Sequence, residues 1–180
     1  MDLPTPFNIA EHFIQGQLDA GRAAKPYLYC GEERLTFGEL SSRARRFAHA
    51  LRAMGIEPEQ RVLLVLQDGL DFPVCFFGAI LSGAVAVPLN TQWGANDYRH
   101  ALSDSRAQML VVDADLWPKV SAAAEGQRHP RHSLIAGDSV STASAPVPSA
   151  NGGTLVAHPL AEVLACAPDS PIRAALRRHG

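Results

Sequence analysis

The side chains of this sequence that could do chemistry are scattered rather than grouped. His129 and His132 form the one close pair among seven histidines, but no carboxylate or cysteine stands beside them to complete a metal site. Four further histidines have no visible triad partner and are predicted to be ordinary structural residues: His12, His49, His100 and His158. The sequence therefore predicts neither a catalytic histidine nor a metal site.

Cysteine and serine provide no recognisable nucleophile. Cys30, Cys75 and Cys166 are too far apart for a C-x-x-C motif, which argues against a zinc ribbon, a redox motif or a disulfide scaffold. Cys75 lies in an apolar stretch and is predicted to be a small core residue. No basic neighbour marks Cys30 or Cys166 as reactive, and the G-x-S-x-G motif of serine hydrolases is absent.

The turn after the apolar run at residues 62–66 is where a parallel α/β protein often binds phosphate. Here it contains Asp68 and Asp71 around a single glycine, Gly69, and these carboxylates would repel phosphate. Neither G-x-G-x-x-G nor G-x-x-x-x-G-K-[ST] occurs in the sequence. We therefore predict that Asp71 caps the next helix. On the residues alone, no catalytic, cofactor-binding or metal-binding residue is predicted.

Composition excludes several classes of protein. The 180 residues are 47% apolar and 19% charged, with 16 basic and 18 acidic side chains. The apolar content suffices for a core and excludes a charged disordered tail. The charge balance excludes a polybasic nucleic-acid binder. No basic region precedes an apolar segment at the N-terminus, so no secretory signal is expected and a cytoplasmic location is predicted.

The first elements predicted are a hairpin and a helix. Residues 27–30 and 34–37 flank a short turn that begins at Gly31. Thr36 and Glu39 are spaced as in a capping box, and Gly55 should end the helix that follows. Apolar residues recur on one face of this helix. The other face is predicted to be solvated, with an acidic partner surface as the alternative; it contains Arg43, Arg45, Arg46 and Arg52.

Strands and helices then alternate. Strands are predicted at residues 62–66, 85–89 and 109–112, with a last short one at 134–136. Helices are predicted from about residue 72, from Asn96 or Asp97, and from about 115 to 124. The uncharged stretch 72–89 is predicted to be helix, glycine and buried strand rather than a membrane span, because it contains two prolines. This alternation is typical of parallel crossover units and predicts an α/β fold.

Composition changes near residue 137. We assign residues 1–136 to the α/β unit and 137–158, which are rich in Gly, Ser and Pro, to a flexible connection. Residues 159–180 are predicted to form a short helix at about 159–167, followed by a truncated or divergent tail without a packed element.

Two local patterns resemble the adenylate-forming enzymes, the AMP-forming acyl- and aryl-CoA ligases. Leu35-Thr-Phe-Gly-Glu-Leu40, with the helix up to Gly55, resembles their first motif, and residues 80–90 resemble their second. Residues 7–13, 71–78 and 90–91 are similar to benzoate–CoA ligases. The resemblance implies the N-terminal subdomain of the adenylate-forming fold, a partial parallel sheet preceded by a hairpin. For the full-length family it implies ATP, Mg²⁺ and coenzyme A as cofactors, and conversion of an aromatic carboxylate to its CoA thioester.

The resemblance carries no functional residue onto this chain. In the family, a Ser/Thr/Gly-rich phosphate loop ending in lysine begins just after an Asp-x-Pro that resembles Asp169-Ser-Pro171. The other catalytic and nucleotide-binding segments lie further downstream. Here residues 172–180 read Ile-Arg-Ala-Ala-Leu-Arg-Arg-His-Gly. The resemblance thus implies an N-terminal part of a benzoate–CoA-ligase-like enzyme, with a frameshift or an early stop as one hypothesis for its length.

Such a part is expected to be inactive alone, because nothing in it would stabilise charge on the ATP phosphates. Two other interpretations stay open. The first is a non-catalytic interaction module, whose partner would be a complementary ligase chain or a full-length homologue. The second is a small-molecule binding remnant.

Overall fold

The computed structural model describes residues 7–137, 147–150 and 154–172. A five-stranded parallel sheet forms the centre, in the order β4-β3-β5-β6-β9, and a two-stranded antiparallel hairpin, β1-β2, precedes it. The predicted α/β class is confirmed. The helices are α1 Ile9–Asp19, α2 Phe37–Ala53, α3 Asp71–Ser82, α4 Ala95–Ser105, α5 Trp117–Ala124 and α6 Leu160–Cys166. The strands are β1 Pro26–Cys30, β2 Glu33–Thr36, β3 Arg61–Val65, β4 Val85–Pro88, β5 Met109–Asp113, β6 His132–Ala136, β7 Val147–Pro148, β8 Thr154–Leu155 and β9 Ala157–Pro159.

Strand β3 shows why the apolar run at residues 62–66 is continuous. Successive side chains of a strand point to opposite faces of the sheet. Val62 and Leu64 accordingly join the core beneath α1, α2, α3 and α6. Leu63 and Val65 join the core beneath α4 and α5. Because helices cover both faces, every one of these side chains is fully buried.

Helix α2 begins and ends as its sequence predicts. The Thr36 side chain accepts a hydrogen bond from the Glu39 N–H at 3.2 Å, and the Glu39 carboxylate accepts one from the Thr36 N–H at 2.8 Å. These bonds complete the capping box. The bonds that the Thr36 N–H and hydroxyl donate to the Glu39 carboxylate hold its pKa below the ordinary value. Gly55 follows the helix with a φ of 76°, a left-handed conformation that glycine adopts without strain.

The cap predicted for α3 is wrong, and α4 begins one residue earlier than predicted. Asp71 is the first residue of α3 rather than its cap; Leu70 holds the cap position, and no side chain caps this helix. The Asp71 carboxylate instead binds Arg43 at 2.7 Å. Helix α4 begins at Ala95, with Gly94 as its cap, and the Asp97 carboxylate accepts the Gly94 N–H at 3.1 Å. In both cases the carboxylate lies within the first turn, where the helix dipole favours it.

The uncharged stretch 72–89 is helix, glycine and strand, as predicted. Gly83 has a φ of 90° and separates α3 from β4. The expectation that β4 is buried is wrong, because it forms one edge of the sheet and leaves Val85 44% exposed. In the part of the chain that the structure describes, no helix has the length and apolar character that crossing a membrane requires.

Strand β6 is not the last strand. Ala157–Pro159 pairs in parallel with β6 and forms the other edge of the sheet, and β7 pairs with β8. Sequence patterns missed these strands because they contain two or three residues each and no apolar run. β7 and β8 fall in the predicted connection 137–158 and β9 crosses its end, while residues 138–146 and 151–153 of the connection lie outside the described residues. The domain boundaries at 137 and 159 stay predictions.

Gly78 allows α3 to approach α2 closely. A Cβ atom there would lie 2.7 Å from the Ala44 carbonyl oxygen and 2.8 Å from Cδ1 of Phe47. Ala44 and Phe47 are fully buried, so neither can move aside without disturbing the core.

We expect Gly78→Ala to lower the free energy of unfolding by about 1–3 kcal/mol, the usual cost of overpacking. Gly16→Ala in α1 is the matched control, since a Cβ there meets nothing within 4 Å. It should be neutral or stabilising by up to about 1 kcal/mol. Urea unfolding of both variants measures the difference, and equal stabilities would contradict the close-approach argument.

Candidate functional site

The carboxyl ends of the parallel strands, where α/β proteins usually bind ligands, are acidic in this chain. Asp113 ends β5, and its carboxylate accepts a hydrogen bond from the Gln67 backbone N–H at 2.5 Å. Burial raises the pKa of Asp113, the Gln67 hydrogen bond opposes this, and the charges of Asp71 and Asp115 raise it further. The carboxylates at this edge would repel a phosphate group rather than bind it.

The described residues do not fit the ATP and Mg²⁺ that the family resemblance implies. Among residues 7–137, 147–150 and 154–172, no group of three or more His, Cys, Asp or Glu side chains is placed to hold a metal ion. The chain's two lysines are Lys25 and Lys119. Lys119 donates to the Trp93 carbonyl at 3.3 Å, on the side of the sheet that α4 and α5 cover.

The arginine face of α2 is where the structure departs most from expectation. We predicted a solvated face, and this is wrong for three of its four arginines. Arg43 binds Asp71 of α3 at 2.7 Å, and Arg45 Nε binds the Asp169 carboxylate at 2.9 Å. Arg46 Nη1 donates to three carbonyl oxygens at the end of α6; these belong to Leu164, Ala165 and Ala167, at 3.3, 3.4 and 2.8 Å.

Four side chains of α2 together hold the segment that follows α6. They are Ser42, Arg45, Arg46 and His49, which we call the α2 anchor. The Ser42 hydroxyl donates to Asp169 Oδ2 at 2.7 Å, opposite the Arg45 bond to Oδ1. His49 Nε2 lies 3.0 Å from the Ser170 carbonyl oxygen and 3.1 Å from its hydroxyl. The Ala167 carbonyl, the Asp169 carboxylate and the Ser170 carbonyl and hydroxyl thus all contact this one helix.

Helical periodicity explains why these four residues act together. Positions 42, 45, 46 and 49 are three, four and seven residues apart, so they share one face of α2. The opposite face contains Ala44, Phe47, Ala48 and Leu51, all fully buried. Sequence patterns could therefore find the face, but not its binding partner, which lies more than 100 residues along the chain.

The environment of Asp169 favours its charged form. Partial burial raises the pKa of this carboxyl, but hydrogen bonds from Ser42 and Arg45 and the charges of Arg45 and Arg46 outweigh that effect, so the pKa lies below the ordinary value. About a third of the side chain is exposed (33%). The contact is thus a partly exposed, hydrogen-bonded ion pair.

The other residues singled out in the sequence do not converge. Cys75 is fully buried, and burial raises the pKa of its thiol. Cys30 is half-buried, and Cys166 is exposed at the end of α6, next to the carbonyls that Arg46 binds. His129 and His132, expected in a solvated loop, are partly buried, and burial is the main cause that lowers the pKa of both. His49 was expected to be an ordinary structural residue, and its contacts with Ser170 make it part of the anchor.

A groove of about 370 Å³ between β1 and α3 is a second candidate. Half of the residues that line it are aromatic: Tyr27, Tyr29, Phe72, Phe76 and Phe77. The one charged residue in its lining is Asp68, whose negative charge would repel a carboxylate. The groove therefore gives little support to a retained site for an aromatic acid.

Comparison with known proteins identifies the family. The model of the AMP-binding enzyme family matches residues 17–171, and the chain belongs to this family. It is 34% identical over 151 residues to the 4-hydroxybenzoate–CoA/benzoate–CoA ligase of Rhodopseudomonas palustris. The matched region covers 84% of this chain and 27% of that protein. The chain thus spans about a quarter of the length of this relative. The resemblance inferred from the two motifs is confirmed.

Two further comparisons define how near the chain lies to particular members. The fold matches a benzoate CoA ligase from Burkholderia xenovorans LB400 with a TM-score of 0.76 and 30% identity, over 94% of this chain and 30% of that one. The long-chain-fatty-acid–CoA ligase FadD13 of Mycobacterium tuberculosis is 36% identical over 89 residues, 49% of this chain and 18% of that protein. The aromatic-acid ligases match over more of the chain.

The lowered pKa of Asp169 predicts a pH-dependent contribution to stability. At pH 7, we expect Asp169→Asn to reduce the free energy of unfolding by up to about 1 kcal/mol, as for partly exposed ion pairs. A carboxyl whose pKa falls on folding stabilises the fold above its unfolded pKa. The difference between the two proteins should therefore shrink as the pH falls below the ordinary value of 3.8.

Urea unfolding at several pH values measures this difference. Asp104→Asn on α4 is the control, because Asp104 is exposed and far from the anchor in sequence. Its effect should stay within about 0.5 kcal/mol. A difference for Asp169→Asn that is constant from pH 7 to pH 3 would contradict the prediction.

Proposed function

We propose that this chain is the N-terminal scaffold of a benzoate–CoA-ligase-like enzyme. The observation that carries the proposal is the match in fold and sequence to a benzoate CoA ligase over 94% of the chain at 30% identity. In the reaction of such an enzyme, a carboxylate oxygen attacks ATP and displaces pyrophosphate to give an acyl-adenylate. The thiol of coenzyme A then attacks the acyl carbon and displaces AMP.

The role of this part is to support the groups that react rather than to supply them. Adenylate formation needs donors and cations placed against the phosphate oxygens. The described carboxyl edge of the sheet is acidic at Asp68, Asp71 and Asp113, which is the opposite of that requirement. ATP, Mg²⁺ and coenzyme A would therefore be bound by the remainder of a ligase, and a polypeptide of these 180 residues would not form an adenylate.

The first test is an ATP–pyrophosphate exchange assay. The purified 180-residue chain should show no benzoate-dependent exchange above a blank without benzoate. Exchange that depends on benzoate and follows the purified chain through a second column would overturn the proposal of inactivity.

The second test asks whether the chain is a working scaffold. Residues 1–171 replace the corresponding N-terminal region of the Rhodopseudomonas palustris ligase. We expect benzoate-dependent exchange with a kcat/KM within about tenfold of the parent, a loss below about 1.4 kcal/mol. The same residues placed in FadD13 form the matched control and should support far less exchange with a long-chain fatty acid. Equal activity of the two chimeras would contradict an aromatic-acid subgroup.

A partner for the chain follows from the same proposal. Strand β4 forms an edge of the sheet and leaves Val85 exposed, and such edges readily bind another chain. We propose that the partner is a complementary ligase chain. When the remainder of the Rhodopseudomonas palustris ligase is supplied as a separate polypeptide, the two should co-purify and restore benzoate-dependent exchange. Failure to co-purify would contradict this part of the proposal.

A further inference from the structure

The segment after α6 is positioned by polar contacts more than by packing. A cavity of about 100 Å³ lies on one side of it, lined in part by Arg45, Pro171 and Ile172. A cavity of about 420 Å³ lies on the other side, lined in part by His49, Ala167 and Pro168. Ile172 alone among these segment residues is a hydrophobic side chain packed on the core. The α2 anchor is therefore the main constraint on where residues 167–171 run.

The anchor also fixes the direction of this segment. Ser42 and Arg45 bind the two oxygens of one carboxylate, so Asp169 cannot rotate without losing a hydrogen bond. Arg46 binds the last carbonyls of α6, and His49 binds the next residue, Ser170. Successive residues of the bend are thus held from one rigid helix, whose other face is buried in the core.

This bend lies at the end of the stretch that the family match covers. The family match extends to residue 171, and the Rhodopseudomonas palustris relative has about three quarters of its length outside the matched region. Any displacement of the bend would be passed to the chain that follows it. Misplacement of reacting groups by about 1 Å can lower a rate by about 100-fold.

We propose that Asp169 is a positioning residue for the ligase reaction. Held by Ser42 and Arg45, it sets the place and direction in which the chain leaves this subdomain toward the groups that react. The inference rests on the proposed function, since it requires that this chain serve as the scaffold of a ligase. Its effect is on the rate of the chemical step rather than on binding of the carboxylate.

A matched ion pair on the same helix provides the control. Arg43–Asp71 and Arg45–Asp169 have lengths of 2.7 and 2.9 Å, and the carboxylates are 31% and 33% exposed. The Arg43 pair joins α2 to α3 and does not touch the bend. D71N and D169N each remove one carboxylate charge from a partly exposed pair. A role in stability alone would give both variants the same effect on activity.

The test uses the active chimera of residues 1–171 with the Rhodopseudomonas palustris ligase. We expect D169N to lower kcat for benzoate-dependent ATP–pyrophosphate exchange by about 10-fold or more, with KM for benzoate changed by less than about twofold. D71N should leave kcat within about twofold of the unsubstituted chimera, while it lowers thermal stability by as much as D169N does. S42A removes one of the two bonds to Asp169, and its kcat should lie between those of D169N and D71N.

Hydrogen exchange on the 180-residue chain supplies a readout without activity. D169N should speed exchange of backbone amides at residues 164–172 and leave those of β3 unchanged, whereas D71N should not affect residues 164–172. Equal kcat for the two variants in an active chimera, or unchanged exchange at 164–172, overturns this inference alone. An inactive parent chimera overturns the proposed function and this inference with it.

Discussion

The packing of α2 on α3 at Gly78 is the contact on which the rest of the molecule depends. Because Gly78 has no side chain, the Ala44 backbone and the Phe47 ring fit against α3 at a distance that a Cβ atom would forbid. This approach commits one face of α2 to the core above the sheet. The opposite face of α2 can then bind the segment that follows α6. The buried residues of the first face fix its orientation.

Charge is distributed unequally between two surfaces of this fold. The carboxyl edge of the sheet is acidic, with Asp71 and Asp115 near Asp113, and this negative charge would repel phosphate groups. The polar face of α2 is basic, and Arg43, Arg45 and Arg46 bind acceptors within the chain. The electrostatics therefore support a scaffold role, in which cationic side chains order the polypeptide and the reacting groups come from elsewhere.

The family assignment fits a chain in whose described residues no group of side chains is placed to hold a metal ion. The chain belongs to the AMP-binding enzymes, and it spans about a quarter of the Rhodopseudomonas palustris ligase. Its matched motifs build the hairpin, α2, α3 and β4, which are structural elements. What links them to the reaction, on our proposal, is the bend at Asp169, which is held by the α2 anchor.

The sequence by itself determined the local structure and the fold class. The capping box at Thr36, the left-handed glycines at 55 and 83, and the continuous apolar strands each act over a few residues, so their effects can be inferred from adjacent positions. Tertiary structure decided three other features. Pairing with β6 makes a strand of residues 157–159, an edge position exposes Val85, and the fold brings Asp169 to Arg45. These depend on contacts between residues far apart in the chain, and local patterns contain no signal for such partners.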